Sequence, residues 1–299
     1  MAITSFDQLL TAARDKGPKS VAIAGADDPQ ILEAAHSAEQ AGIADCILVG
    51  ARDRIRGIAS QEGLDISRMM IIDEANPKSG ARKTMELVRL GHAQVAMKGK
   101  IETGAFLKAA LDPETGLRTG NLLTHVAVIE LPGYDRLLFV SDGGVVVAPT
   151  LEQKVGIVRN AIGVARALGV DVPKVAILAT TEMVNPKIRA TLDAANLAKM
   201  ADRHQIRGAI VDGPLALDNA ISPESALAKN ISSPVAGRAD VLIAPDVEAA
   251  NMLAKAMIYF ANGIMCGVVV GAAAPLVVAS RSAPSETKLV SIALGVLLC

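Results

Sequence analysis

Short apolar runs alternate along most of the chain with longer segments whose apolar positions recur every three or four residues. The short runs at 20–24, 46–49, 69–72, 94–98, 175–179, 208–211, 241–244 and 267–270 are mostly continuous Val, Ile, Leu, Ala and Met rather than alternating. Strands read this way when helices cover both faces of a parallel sheet. The longer segments fit helices. In 151–168, Val155, Val158, Ile162 and Ala165 form one stripe, and Gly169 follows at the stop position. Segments 247–260 and 284–298 read alike, the latter with Leu289, Ile292, Ala293 and Val296 on one face. The pattern predicts a layered α/β fold, with mostly parallel sheets flanked by helices and right-handed crossovers.

Two places break the alternation. Residues 125–131 and 136–141 are strand-like runs separated by Pro132-Gly133-Tyr134-Asp135, which predicts an antiparallel hairpin and a reasonable place for a change of domain. The uncharged stretch 263–279, 17 residues, falls just short of a membrane-spanning helix. Its three glycines, Pro275 and the β-branched Val268, Val269 and Val270 predict a buried parallel strand running into a loop instead. With no internal repeat and no long linker, a second domain is joined by short loops, and the cleft between domains is the default ligand site.

Composition narrows the function. At 299 residues the chain holds one large domain or two of about 150 each. Its core rests on Ala, Val, Leu and Ile, since aromatics are 2% and Trp is absent. Thirty Lys+Arg against 31 Asp+Glu leave a net charge of −1, with no basic footprint for nucleic acid or an anionic membrane. Cys46, Cys266 and Cys299 show neither metal spacing nor a disulfide framework, and the start of the chain has no apolar h-region. The expectation is a cytoplasmic protein without a metal.

The densest chemistry lies near the C-terminus. There an apolar strand ends, Ser280 and Ser282 flank Arg281, and Pro284 stands where a helix takes its first residue. A helix N-terminus with hydroxyls and a guanidinium makes a phosphate pocket, whereas a plain Ser cap beside a solvated Arg explains the same spacing. Lys98-Gly99-Lys100, with Thr103 beyond, follows a strand and precedes a helix. Such a turn can approach an anion at the carboxyl end of a parallel strand, or it is a solvated basic turn. It is not a P-loop, because Lys100 is followed by Ile101. Asp142-Gly143-Gly144 ends the hairpin, and Asp142 either positions a substrate or serves as a turn residue. Of the four histidines, His125 at a strand start is the one to watch; no G-x-S-x-G elbow is present.

Taken together, 98–104, 112–120 (DPETGLRTG), 131–136 (LPGYDR), 211–215 (VDGPL) and Ser280-Arg281-Ser282 with Glu286-Thr287-Lys288 resemble the phosphate acetyl/butyryltransferase family, on its butyryl side, over essentially the whole chain. The resemblance implies a two-domain fold similar to isocitrate and isopropylmalate dehydrogenases, with the active site in the interdomain cleft, in a homodimer or higher homo-oligomer. It divides the chain into 1–118 plus 272–299, carrying the Ser-Arg motif, and 119–271. Ser280 and Arg281 match the family's catalytic Ser-Arg pair; Ser282, Lys98, Lys100, Thr103, Lys108, Asp142 and Glu286 are the expected phosphate- and substrate-binding residues. The acetyltransferases' Asp seven residues after the Ser falls on Thr287, with Glu286 adjacent. One early arginine falls on Lys108, and another on Arg82 or Lys78.

The implied reaction is butyryl-CoA plus inorganic phosphate giving butyryl phosphate plus CoA, or its reverse, with coenzyme A a substrate and no cofactor bound. Without a visible nucleophile–base pair, direct transfer in a ternary complex is expected over an acyl-enzyme, and Cys266 is read as a buried structural thiol. The thiol is expected to be activated by nearby cations rather than by Glu286. Three alternatives stand beside this reading: an acetyl-CoA enzyme, a non-catalytic acyl-CoA-binding protein, and a metal- and NAD-dependent decarboxylating dehydrogenase. The last would need an aspartate cluster, for which Asp240 and Asp246 are too few and badly spaced.

Overall fold

A computed structural model describes residues 2–280 and 283–299. The chain groups into two compact units. The first holds Phe6–Asn121 and Cys266–Cys299; the second holds Leu122–Met265 with the residues up to Ser5. Chain order in the first unit runs α1 (Phe6–Lys16), β1 (Lys19–Ala24), α2 (Pro29–Gln40), β2 (Ala44–Gly50), α3 (Arg52–Gln61), β3 (Met70–Asp73), α4 (Pro77–Arg89), β4 (Val95–Lys98) and α5 (Thr103–Ala110). The second unit follows with β5 (Thr124–Glu130), β6 (Leu138–Ser141), α6 (Leu151–Ala167), β7 (Lys174–Leu178), α7 (Arg189–Asp202) and β8 (Ile210–Leu215). It continues through α8 (Leu217–Ile221), α9 (Pro223–Ala228), β9 (Val241–Ile243) and α10 (Val247–Tyr259). The chain then returns to the first unit through β10 (Ile264–Val270), β11 (Leu276–Val278) and α11 (Ser285–Leu297).

In the first unit the strands lie in the order β3-β2-β1-β4-β11-β10. The first five are mutually parallel, and β10 runs antiparallel to β11. This corrects the expectation for 263–279: the uncharged stretch is a hairpin, not one parallel strand. Gly271 takes φ +104°, a conformation open to glycine, and turns the chain back before Pro275. Apolar continuity specifies burial but not direction, so the reversal is invisible in the pattern.

The second unit has the order β5-β6-β9-β7-β8, parallel from β6 onward, with β5 and β6 forming the expected hairpin from Val126↔Ser141 to Ile129↔Leu138. Its core includes Ala127, Ile129, Leu138, Val140, Leu178 and Leu242. The run at 208–211 starts late as a strand because Gly208 sits at φ +83°.

Helix α11 differs from the expected single apolar face. Val290 to Val296 are buried without a break, through two turns. Helices α1 and α2 pack against it, and Gly295 lets it lie close on the sheet, since a Cβ there would come within 2.7 Å of Val277 Cγ2. Among the described residues no helix is long and apolar enough to cross a membrane.

Candidate active site

Strands β4 and β11 are neighbours in register Leu276↔Ala96, Val277↔Met97 and Val278↔Lys98. The chain beyond Val278 therefore leaves the sheet beside the chain beyond Lys98, and two motifs about 180 residues apart in sequence emerge at adjacent strand ends. On the other side of β4, the Gly99 and Lys100 amides donate to Ala24 O and Gly25 O, both at 2.7 Å. Only glycine fits at 99, where a Cβ would sit 2.3 Å from Gly25 O.

Lys98 is buried, and its Nζ donates to Gly99 O (3.1 Å) and Ile101 O (3.4 Å), tying the turn from beneath. Lys100 is exposed on that turn, and Thr103 is half-buried at the first position of α5. Ser280 is exposed, with its carbonyl accepting from Ala283 N at 3.2 Å. Arg281 and Ser282 lie outside the described residues.

Helices α5 and α11 both begin without a side-chain cap, on Glu102 and Pro284 respectively. An uncapped helix start offers unpaired N–H groups and about half a positive charge to an anion. Within the first turn of α11, Glu286 is exposed and Thr287 is half-buried, so the carboxylate and the hydroxyl face different ways. Lys288, named in the sequence motif without a role, is buried there at 3% exposure.

Lys108 lies away from this turn, in the last turn of α5. It lines a cavity of about 470 Å³ with Asn76, Ser79, Lys78, Arg82 and Asp112. Three basic residues from α4 and α5 thus converge beside the start of α4, whose Asn76 cap accepts from Lys78 N and Ser79 N. Arg82 and Lys78, the two candidates for the family's other early arginine, both line this pocket with Lys108. Spacing could not have shown this, because α4 and α5 are separated by a strand. Hydrogen bonds from the Thr115 and Glu114 amides hold the Asp112 carboxyl below its usual range, with Arg82 adding to the effect.

In the second unit, Asp142 is buried and spends both oxygens on its own turn. Oδ1 accepts from Gly144 N (2.9 Å) and Val145 N (3.0 Å), and Oδ2 accepts from Val146 N (3.1 Å). His125 packs against Gly144, with a shielded Nδ1 that has no partner among the described residues. Burial pushes its pKa down, and Asp142 only partly offsets this. Burial pushes the Cys266 thiol up, which leaves it a poor nucleophile.

Comparison with known proteins follows the same lines. The profile of the family described as phosphate acetyl/butaryl transferase matches residues 5–84 and 78–296. The chain is 45% identical over 294 residues to the phosphate butyryltransferase of Clostridium beijerinckii, covering 98% of this chain and 97% of that one. It is 42% identical to the phosphate acetyltransferase of Thermotoga maritima, over 97% of this chain and 98% of that one. Among solved structures, a branched-chain phosphotransacylase from Enterococcus faecalis V583 superposes with a TM-score of 0.83 at 30% identity, covering 94% of this chain and 98% of that chain.

Proposed function

From the premise that this chain belongs to the phosphate acetyl/butaryl transferase family, we propose that it exchanges a short acyl group, butyryl first, between coenzyme A and inorganic phosphate. One observation supports this reading: the Val278↔Lys98 register brings the chain leading to Ser280 beside the chain leading into the Lys98–Thr103 turn, and a helix without a side-chain cap among the described residues follows each. A phosphate dianion is held at the start of α11 by Arg281 and Ser282, with Lys100 and Thr103 adjacent. A phosphate oxygen attacks the acyl carbon, Ser280 donates to the oxyanion that develops, and the carbon–sulfur bond breaks to release the CoA thiolate. One such donor is worth about 2.7–4 kcal/mol. The pocket of Lys78, Arg82 and Lys108 takes the phosphates of coenzyme A, whose negative charge its three cations complement. Asp142 keeps its own turn in the second unit in shape.

The transfer is direct, in a ternary complex. In the reverse direction the thiol needs no carboxylate base: it ionises near the cysteine reference of about 8.5, and neighbouring cations raise the thiolate fraction. Coenzyme A enters as a substrate, with no resident cofactor. We place the enzyme in the cytoplasm, where its free cysteines stay reduced. A homodimer is also proposed, supported by Met252, Tyr259, Phe260 and Ile264, apolar side chains left exposed on and after α10.

A second reading keeps the chemistry and changes the acyl group to acetyl, favoured by the similarity to a phosphate acetyltransferase. Thiol release from acetyl-, propionyl-, butyryl- and isobutyryl-CoA, with and without phosphate, separates the two. Phosphate-dependent release fastest with butyryl-CoA supports the proposal, and fastest with acetyl-CoA supports the second reading. No phosphate dependence overturns both. Arg281→Lys should raise the KM for phosphate and lower kcat, because the planar fork is lost while the charge stays. Unchanged phosphate kinetics would mean that the pocket is misassigned.

A further inference from the structure

Three lysines are buried among the described residues, and their surroundings differ. Lys154 pairs with Asp193 at 2.9 Å, and Lys98 closes its own turn. Lys288 has no carboxylate within salt-bridge distance among the described residues. Its Nζ donates instead to the Ala283 carbonyl and to Gln30 Oε1 at 2.9 Å. Ala283 lies in the connection from Ser280 into α11, and Gln30 lies in the first turn of α2. Lys288 is therefore an ammonium inserted between the starts of two helices, where the macrodipoles repel a cation. Asp28, the cap of α2, is the nearby negative charge, and its Oδ1 already accepts from Ile31 N at 3.2 Å.

On stability alone this arrangement is costly. Position 288 lies in the first turn of a helix whose later turns are buried throughout, where an apolar chain of similar length would fill the space without desolvating a charge. Burial accordingly pushes the Lys288 pKa down, and Asp28 offsets only part of this. An anion arriving at the start of α11 would reverse the balance.

We propose that Lys288 is a positioning residue for phosphate binding: it clamps the Ala283 carbonyl, just before α11, to Gln30 of α2, and leaves a buried positive charge beside the start of α11 that a bound phosphate offsets. The proposal rests on the reading of the α11 start as the phosphate pocket. Lys288 itself does not touch the reacting atoms.

The experiment compares the full-length enzyme with Lys288→Met, Lys288→Arg and Gln30→Leu, measuring kcat and both KM values alongside Tm with and without inorganic phosphate. Lys288→Met should raise the KM for phosphate about tenfold or more while the KM for acyl-CoA moves less than about twofold. It should also abolish most of the rise in Tm that phosphate gives the parent. Lys288→Arg, which keeps charge and reach, should recover much of the loss. Gln30→Leu removes one end of the clamp and should shift the phosphate KM in the same direction by a smaller factor. If Lys288→Met lowers Tm but leaves phosphate kinetics unchanged, the role is structural and the proposal fails. Should that variant not fold, Gln30→Leu decides, and an unchanged phosphate KM there overturns the clamp. Arg281→Lys run in parallel distinguishes the layers. A phosphate effect in Arg281→Lys alone sinks the Lys288 role, whereas no effect in either sinks the pocket on which it rests.

Discussion

The helices that follow β6 and β9 begin differently from those that follow β4 and β11. In each unit the two strands are parallel neighbours. After β6, Thr150 and Gln153 close a capping box on α6; after β9, Asp246 Oδ1 accepts from Ala249 N at 2.8 Å on α10. After β4 and β11 no side chain among the described residues caps α5 or α11. The buried ionisable groups differ in the same sense. Beside the start of α11 a lysine lacks a salt-bridge partner among the described residues, while in the second unit a histidine packs against Gly144 with its pKa pushed down by burial. Side chains cap one pair of helix starts, and among the described residues the other pair is left without such a cap. On the proposed reading, the same strand-to-helix arrangement builds a scaffold in one place and a receptor for anions in another. Which one results depends on a few residues at the cap positions.

The sharpest way to break this contrast is to seal the open end. Pro284→Asp would give α11 a carboxylate at its cap, like Asp246 on α10. The anion would occupy the free N–H groups and repel phosphate, so kcat/KM for phosphate should fall about 100-fold while Tm holds or rises slightly. Equal phosphate kinetics would show that the α11 start does not receive the substrate.

Next come the glycines of the two turns. Gly99→Ala forces a Cβ to within 2.3 Å of Gly25 O and should cost about 2–3 kcal/mol of stability along with most activity. In Gly143→Ala the nearest atom, Asn251 N, is 3.5 Å from the new Cβ, an ordinary contact, so stability should move by less than about 0.5 kcal/mol. Denaturant melts of both variants check the pair, and a tolerated Gly99→Ala would mean that β1 and β4 part easily at their ends.

The smallest effect concerns pH. The His125 pKa in the folded protein lies below its ordinary 6.5, so in that window the unfolded chain binds more protons. Stability contributed by neutral His125 is present above pH 6.5 and is lost as the pH falls toward the folded value. In His125→Gln, Tm should fall less than in the parent between about pH 7 and pH 5. Parallel Tm–pH curves would show that the ring titrates alike in both states.

Much of this architecture is legible in local pattern. The continuous apolar runs mark the strands, the stripe through Val155, Val158, Ile162 and Ala165 marks α6, and Pro132-Gly133 with its flanking runs marks the hairpin. The division implied by the family resemblance, rather than by local pattern, falls at 118/119 and 271/272, whereas the compact units divide at 121/122 and 265/266. Less legible was the stretch 263–279, where uniform apolarity hides a reversal at Gly271. Similarly, nothing in the spacing of Lys78, Arg82 and Lys108 announces a shared cavity.

Elements, their periods, their caps and the glycines at their ends are determined by the sequence itself, because each depends on residues a few positions apart. Tertiary structure alone decided which strand ends meet. The pairing of β4 with β11 sets the surroundings of Ser280, and it depends on how α1, α2 and α11 pack over the sheet. The same packing turned Lys288 from one polar residue in a helical motif into a buried cation between two helix starts. Burial and long-range pairing come from the whole fold, since the free energy of a charge depends on everything that displaces water around it.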